Sequence, residues 1–190
     1  MFRELLRERL AGIADVSDAQ AAILERHYER MLLWNRTVNL TTITGVAEAV
    51  ERHYGESIFL ATHLSAGALR IVDVGSGPGF PGIPVAVLRP DCDMVLVESH
   101  QRKAVFLKEV CREMKNVQVL AKRGEEIEDR FDWAISRALS YRDLRGVLRR
   151  LAGRAMLLTG AEVPPPDLGL EWLDPIPLPW GRGRFLRISA

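Results

Sequence analysis

Residues 71–84, Ile-Val-Asp-Val-Gly-Ser-Gly-Pro-Gly-Phe-Pro-Gly-Ile-Pro, constrain the chain more than any other stretch. Ile71 to Val74 is apolar and β-branched apart from Asp73, which predicts a buried strand. Gly75, Gly77 and Gly79 follow; without Cβ atoms they let the backbone turn sharply and come close to a ligand. A helix comes next. Pro81 and Pro84 fit in its first turn, where backbone N–H groups have no intrahelical partner, and Pro90 ends it by pushing the residue before it out of the α region. Strand, glycine loop and helix form a nucleotide pocket at the carboxyl end of a strand in open α/β sheets.

The glycines alone do not choose the ligand. Gly77-Pro78-Gly79-Phe80-Pro81-Gly82 satisfies G-x-G-x-x-G, the dinucleotide fingerprint. Asp73 discriminates. A pyrophosphate in this loop would face its carboxylate, and two like charges about 4 Å apart cost roughly 4 kcal/mol at an effective dielectric near 20. A cationic ligand gains where the pyrophosphate loses. S-adenosylmethionine (SAM) carries an ammonium and a sulfonium and no phosphate. The competing reading is a turn-capping Asp beside structural glycines.

With 190 residues, 47% hydrophobic and 27% charged, the chain is long enough for one globular unit with a small helical extension. A net charge of +1 does not by itself reveal a nucleic-acid partner. Cys92 and Cys111 lack metal or redox spacing and suit a reducing cytosol as small apolar side chains. The first eight residues mix charges and lack the apolar core of a signal peptide, and no apolar run has the length of a membrane span. The expectation is a cytoplasmic protein with no membrane partner and no metal.

The residues before the glycine loop read as a helical extension over 1–64, packed on a core over 65–190. A short helix is expected within 1–11. Ser17 and Gln20 make a capping box for the next, in which Leu24, Tyr28, Met31 and Leu32 recur at helical spacing. Trp34 to Thr42 reads as a connection rich in side-chain hydrogen-bonding groups. Val46 to His63 reads as a helix interrupted or bent near Gly55, with His53 and His63 as packing or surface residues. From Leu69 strands and helices alternate, implying βαβ units and a mostly parallel sheet flanked by helices. Strands are predicted at Met94–Val97, Val117–Leu120, Trp133–Ser136 and Ala155–Leu158, and less distinctly at Glu171–Leu173 and Phe185–Ile188. Helices are predicted over Gln101–Met114 and Tyr141–Leu151.

Three further points fall on the carboxyl edge. Glu98 ends the second strand, where an acid accepts hydrogen bonds from ribose hydroxyls in dehydrogenases and methyltransferases alike; otherwise it is a solvated loop acid. Arg123-Gly124-Glu125-Glu126 follows the third strand and could read the edge of an adenine, or could be a helix start whose acids complement the dipole. Ser136-Arg137 ends the fourth strand. That arginine could orient a base, a phosphate or the methionine carboxylate, or form a structural ion pair.

Trp34-Asn35-x-x-x-Asn39-Leu40-Thr41, Arg52-His53-x-x-Glu56-Ser57, the loop from Asp73 to Pro84, Glu98-Ser99-x-x-x-Lys103, Arg123-x-Glu125 and Phe131-Asp132-x-x-x-Ser136-Arg137-Ala138 follow one another in order. From about Leu24 to Thr159 the chain resembles the bacterial small-subunit rRNA guanine-N7 methyltransferase G family, also called glucose-inhibited division protein B. The resemblance implies a class I, Rossmann-like, SAM-dependent methyltransferase. It would modify N7 of a guanine in the 530-loop region of 16S rRNA and release S-adenosylhomocysteine. The substrate would be 16S rRNA within the small ribosomal subunit or a precursor, and the enzyme a monomer. Gly75, Phe80, Glu98, Ser99, Gly124, Glu125 and Arg137 would be its ligand-contacting positions. With Asp73, Gly77 and Gly79 these make the cofactor site, and Arg137 the residue holding the base. No general base is expected, because guanine N7 has a free lone pair.

The chain departs from that pattern in places. Family members usually read Asp-Ser where this chain has Glu56-Ser57, and Lys-Gly where it has Thr159-Gly160. With that lysine missing and a short tail, RNA affinity is expected to rest on Arg182, Arg184 and Arg187 and on the face formed by Arg142, Arg145, Arg149 and Arg150. A nicotinamide dehydrogenase and a non-catalytic RNA-binding module remain as alternatives. Asp73 opposes the first, and the second would use the same basic face.

Overall fold

Alternate residues of the central strands are apolar toward two different cores, which is the pattern of a sheet buried on both faces. The computed structural model, which describes residues 1–181 and 183–190, contains such a sheet. Its strands are β1 (Arg70–Val74), β2 (Asp93–Val97), β3 (Val117–Leu120), β4 (Trp133–Arg137), β5 (Ala155–Thr159), β6 (Ile176–Pro177) and β7 (Phe185–Ile188). They lie in the order β3-β2-β1-β4-β5-β7-β6. The first five are mutually parallel, and β7 runs antiparallel to both β5 and β6. Ile71, Met94, Leu96, Trp133, Ile135 and Met156 face one apolar cluster. Val72, Val74, Val95, Val97, Ala134 and Leu157 face the other. Asp73 shares the parity of Ile71, so its carboxyl lies on the side of the first cluster.

The helices are α1 (Phe2–Leu10), α2 (Asp18–Asn35), α3 (Val46–Ala49), α4 (Glu56–Ala61), α5 (Gly82–Leu88), α6 (Gln101–Val110), α7 (Tyr141–Leu144) and α8 (Leu148–Leu151). Helices α1 to α6 contribute to the first cluster. Phe2, Leu6 and Leu10 bury one stripe of α1, and Leu24, Tyr28 and Met31 one stripe of α2. The Ser17–Gln20 capping box starts α2: Ser17 N donates to Gln20 Oε1 at 3.0 Å, and Gln20 N to Ser17 Oγ at 3.2 Å. The other face is covered more thinly by Ile127, Phe131, α7 and α8. The N-terminal helices therefore share one continuous apolar cluster with β1, β2, β4 and β5.

The helix over Val46–His63 is interrupted up to Gly55: a π-helical segment, Val50–Gly55, joins α3 to α4. A Cβ on Gly55 would sit 3.1 Å from Val50 O and 3.2 Å from Trp180 Cζ3, so the π turn and the tail both crowd this position. The helix over Tyr141–Leu151 is broken into α7 and α8 around Gly146, at φ 72°. Glu171–Leu173 is not a strand; Trp172 makes an isolated bridge to Ser189, and the pair to β7 is Ile176–Pro177. Among the described residues no helix is long and apolar enough to cross a membrane.

Strands β2 and β3 build outward on one side of β1, and β4 and β5 on the other. The chain thus reverses direction of growth between β1 and β4. The crevice that such a reversal opens lies at the carboxyl ends of these strands, where sheets of this kind take their ligands.

Candidate active site

The loop after β1 is drawn over the end of β2. Gly75 N and Ser76 N both donate to Val97 O, at 2.9 and 3.0 Å. Gly75, Gly77 and Gly79 all have positive φ (73°, 56° and 103°), the region only glycine enters freely. Their surroundings differ. A Cβ on Gly75 would lie 2.5 Å from Leu139 Cδ1 and one on Gly79 2.3 Å from Ile83 Cδ1, whereas one on Gly77 would meet nothing within 4 Å. Gly75 and Gly79 are demanded by packing; Gly77 is the glycine that borders open space.

Glu98 closes the loop from the side. Its Oε2 accepts from Gly77 N at 2.8 Å and its Oε1 from His100 N at 2.7 Å. Each oxygen keeps a lone pair, so the carboxylate can accept further donors. Ser99 beside it is exposed. Asp73 lies beneath the loop and is fully buried. Its Oδ2 accepts from Gly82 N at 2.9 Å. Its Oδ1 has no hydrogen-bond partner among the described residues. Burial pushes this carboxyl up to about 7, and the Gly82 N–H holds it back only in part. Such an acceptor accommodates a proton, or a cation brought from outside. Ser136 Oγ donates to Val74 O at 2.7 Å and ties the end of β4 to the end of β1.

Gly124 and Glu125 lie in a 3-10 turn, Gly124–Glu126. Glu125 is exposed, and a Cβ on Gly124 would sit 2.8 Å from Val147 Cγ1. The expected helix start is a single turn closed by Arg123 N donating to Glu126 Oε2 at 2.6 Å.

Phe80 departs from the picture of a ligand-contacting side chain. Its ring is buried, stacked on His53 (centroids 4.4 Å apart, planes 15° apart) and edge-on to Tyr54 and His27. The ring serves packing. Arg137 lies over it, with Cζ 5.3 Å from its centroid.

Arg137 ends β4 in a largely buried position. It donates to Arg52 O and to His53 Nδ1, the latter at 2.7 Å, and lies 3.9 Å from Glu56 Oε2. Burial brings the guanidinium down to about 10, with the charge of Glu56 opposing. Glu56 is itself buried and accepts a bidentate pair from Arg184, at 2.5 and 2.7 Å. Sequence reasoning set His53 aside as packing and read Glu56 only as a departure. Both sit against Arg137, joined to it from 84 and 81 positions away. A signal was present in Arg52-His53-x-x-Glu56, whose spacing puts Arg52 and Glu56 on one helical face.

The arginines expected to hold RNA are mostly committed elsewhere. Arg184 pairs with Glu56, and Arg187 is buried, donating to Thr159 Oγ1 at 3.1 Å and Ala161 O at 3.3 Å. Arg182 lies outside the described residues. On the other face Arg145 pairs with Asp167, Arg149 donates to Gly169 O, and Arg150 to Gly124 O and Ile127 O. Long side chains near orphan carbonyls find them; Arg142, Arg145, Arg149 and Arg150 nevertheless all remain exposed.

A family profile described as rRNA small subunit methyltransferase G (GidB) matches residues 20–158. The chain belongs to this family. It is 41% identical over 140 residues to ribosomal RNA small subunit methyltransferase G of Chromobacterium violaceum, covering 71% of this chain and 66% of that protein. It is 40% identical over 149 residues to the protein of the same name from Anaeromyxobacter dehalogenans, covering 75% and 69%. The match thus spans about two thirds of the length of these curated relatives. In fold the chain is similar to a SAM-dependent methyltransferase from Aquifex aeolicus, with a TM-score of 0.57 at 15% identity over 75% of this chain and 92% of that one. It is similar to Aeropyrum pernix fibrillarin, solved with S-adenosyl-L-methionine, at 0.57 and 15% over 71% and 73%. The class I, Rossmann-like fold expected from the sequence is the fold observed.

Proposed function

We propose that the protein transfers a methyl group from SAM to N7 of a guanine in the 530-loop region of 16S rRNA, in the cytoplasm, on the small subunit or a precursor of it. Membership of the family supports methylation of small-subunit rRNA; the base and the position are inherited from the resemblance. The observation that carries the cofactor reading is Asp73 Oδ1, a buried carboxylate oxygen with no partner beneath a loop of positive-φ glycines. A pyrophosphate would be repelled there, whereas an ammonium or sulfonium supplies the missing charge.

The residues fit that ligand. Glu98, with acceptor capacity left on each oxygen, takes the ribose hydroxyls. The open side of Gly77 takes the close approach of the amino-acid part, Ser99 and the turn at Gly124–Glu125 border the adenine, and Asp73 balances positive charge. SAM supplies an activated methyl whose leaving group departs as a neutral thioether. The protein's part is placement. Guanine N7 presents a lone pair and no proton, so the site needs to hold it in line with the methyl, and such positioning can be worth about 7–11 kcal/mol. Arg137 is the group for it, since a planar guanidinium can pair with O6 or stack on the ring.

The test is calorimetry with SAM and with NADH, followed by mapping of methylated rRNA positions in cells with and without the protein. SAM binding, and loss of one N7-methylguanine in the 530-loop region, are expected. NADH binding, or an unchanged methylation map, would overturn the reading.

A further inference from the structure

The sequence stretch Trp34 to Thr41 has no place in cofactor or substrate binding as described, yet its side chains lead to Arg137. Asn35 Oδ1 accepts from Leu40 N (2.8 Å) and Thr41 N (3.0 Å), and Asn35 Nδ2 donates to Thr41 O (2.9 Å). One side chain thus fixes the backbone that carries Thr41. Thr41 Oγ1 lies 2.9 Å from His53 Nε2 and also accepts from Ile43 N at 3.0 Å. His53 Nδ1 lies 2.7 Å from Arg137 Nη2.

The protons in this chain can be assigned. A guanidinium only donates, so His53 Nδ1 is the acceptor. The neutral imidazole then carries its proton on Nε2 and donates to Thr41 Oγ1. Burial keeps the ring neutral: the imidazole is pushed down to about 2, and the nearby Arg137 charge acts in the same direction. The ring plane is fixed too, by stacking on Phe80. Arg137 meets this ring at one nitrogen and the Phe80 face below, so two of its geometric freedoms are set by His53 and Phe80.

We infer that His53 is a positioning residue for Arg137, set in its tautomer by the donor-only guanidinium itself and in its place by Thr41 on the Asn35-pinned loop. The inference rests on the reading of Arg137 as the base-holding group. The chain Asn35–Thr41–His53–Arg137 connects the loop after α2 to the end of β4, and the π-helical segment, which carries His53, is what brings the ring to it.

Three variants separate this from a packing role. His53→Asn offers an acceptor where Nδ1 stands, His53→Gln offers one nearer the place of Nε2, and His53→Phe keeps the stack on Phe80 with no acceptor. The readouts are turnover at saturating SAM and RNA, SAM affinity by calorimetry, and, in the free protein, the imidazole nitrogen shifts by NMR. His53→Phe should lower turnover about 10- to 100-fold, the scale of an ångström of misplacement, with SAM affinity within about twofold because cofactor contacts are untouched. His53→Asn should recover most of the loss and His53→Gln little. Combined with Arg137→Ala, His53→Phe should add almost nothing, since the two act as a unit. NMR should find the proton on Nε2 in the wild type. A proton on Nδ1, equal recovery by Gln and Asn, or full turnover in His53→Phe while Arg137→Ala is crippled would each overturn the inference. Full turnover in Arg137→Ala would instead overturn the role given to Arg137 itself.

Discussion

Asp73 and Glu56 are both acids, both buried, and both on elements that meet in the same crevice, yet they are closed in opposite ways. Both oxygens of Glu56 accept from Arg184, and Arg137 and Arg52 each stand 3.9 Å away. Asp73 has one backbone N–H on one oxygen and nothing on the other. A charge taken out of water must be paired or neutralised. Glu56 is paired by cations from three separate parts of the chain. Asp73 is only partly neutralised, with its carboxyl pushed up to about 7, so that near neutral pH a share of its charge stays without a counter-charge in contact. The first arrangement is complete within the protein and holds the tail against the π segment. The second is incomplete, and a cationic ligand would complete it. An acid whose partners are all internal is architecture; an equally buried acid with an open lone pair is where the proposed function places a cationic ligand.

The largest test of this contrast is Glu56→Ala. It leaves Arg184, Arg137 and Arg52 facing one another without an anion, and removing one partner of a buried ion network costs about 3–5 kcal/mol. Urea unfolding should register that loss. A midpoint equal to wild type would mean the network does not hold the fold.

Asp73→Asn should act in the other direction on stability. An aspartate unfolds to a carboxyl with a pKa of about 3.9, below its folded value of about 7. Between pH 4 and 7 the folded state therefore holds a proton that the unfolded state has released, so this group's contribution to stability declines as pH rises through that window. Above pH 7 the folded protein carries a buried, half-partnered charge. Asn removes it, and at pH 8 the variant should be more stable by about 1–3 kcal/mol, discounted from the full shift for the amide's own unmet donors. The same variant should bind SAM roughly 10- to 100-fold more weakly, the value of a charged hydrogen bond. A variant that is less stable and binds SAM as well as wild type would remove the distinction between the two acids.

A smaller effect follows from the same carboxyl. If a cationic group of SAM needs Asp73 ionised, affinity should fall below pH 7, by up to tenfold per unit, and level off between pH 7 and 8.5. In Asp73→Asn that slope should vanish. Calorimetry at several pH values checks both, and an identical slope in the two proteins would assign the titration to another group.

The two acids were not equally legible in the sequence. Asp73 stands within a local pattern, strand then glycines then helix, and local patterns read directly because one peptide segment carries all their parts. The apolar runs Ile71–Val74 and Met94–Val97 are local in the same sense, and their succession with helices predicted the parallel sheet. Glu56 is understood only through Arg184, 128 residues on, and His53 only through Arg137. Residue spacing holds no record of such pairs. A related limit applies to the tail: counting charges finds a basic stretch but not the carboxylate, hydroxyl and carbonyl on which Arg184 and Arg187 are already engaged. The break at Gly146 was missed because a glycine in a helical pattern is compatible with continuation, a bend or a stop until its neighbours are known; Gly55 marked an interruption without telling that it would be π-helical.

The smallest effect distinguishes among the cations around Glu56. Arg52 is the weakest of the three: its side chain is 40% exposed, it lies 3.9 Å from both Glu48 and Glu56, and its Nε is buried with no hydrogen-bond partner among the described residues. An exposed pair of this kind contributes about 0.2–1 kcal/mol, and the unmet Nε donor works against it. Arg52→Gln should therefore change stability by less than about 1 kcal/mol in either direction. Arg137 uses the backbone carbonyl of this residue, which Gln retains, so turnover should stay close to wild type. Arg184→Gln, by contrast, removes both short bonds to Glu56 and should cost several times as much in the same urea experiment. Equal losses in the two variants would mean that Glu56 is neutralised by the cluster as a whole. The tail would then be one contributor among three rather than the partner that makes this buried acid complete.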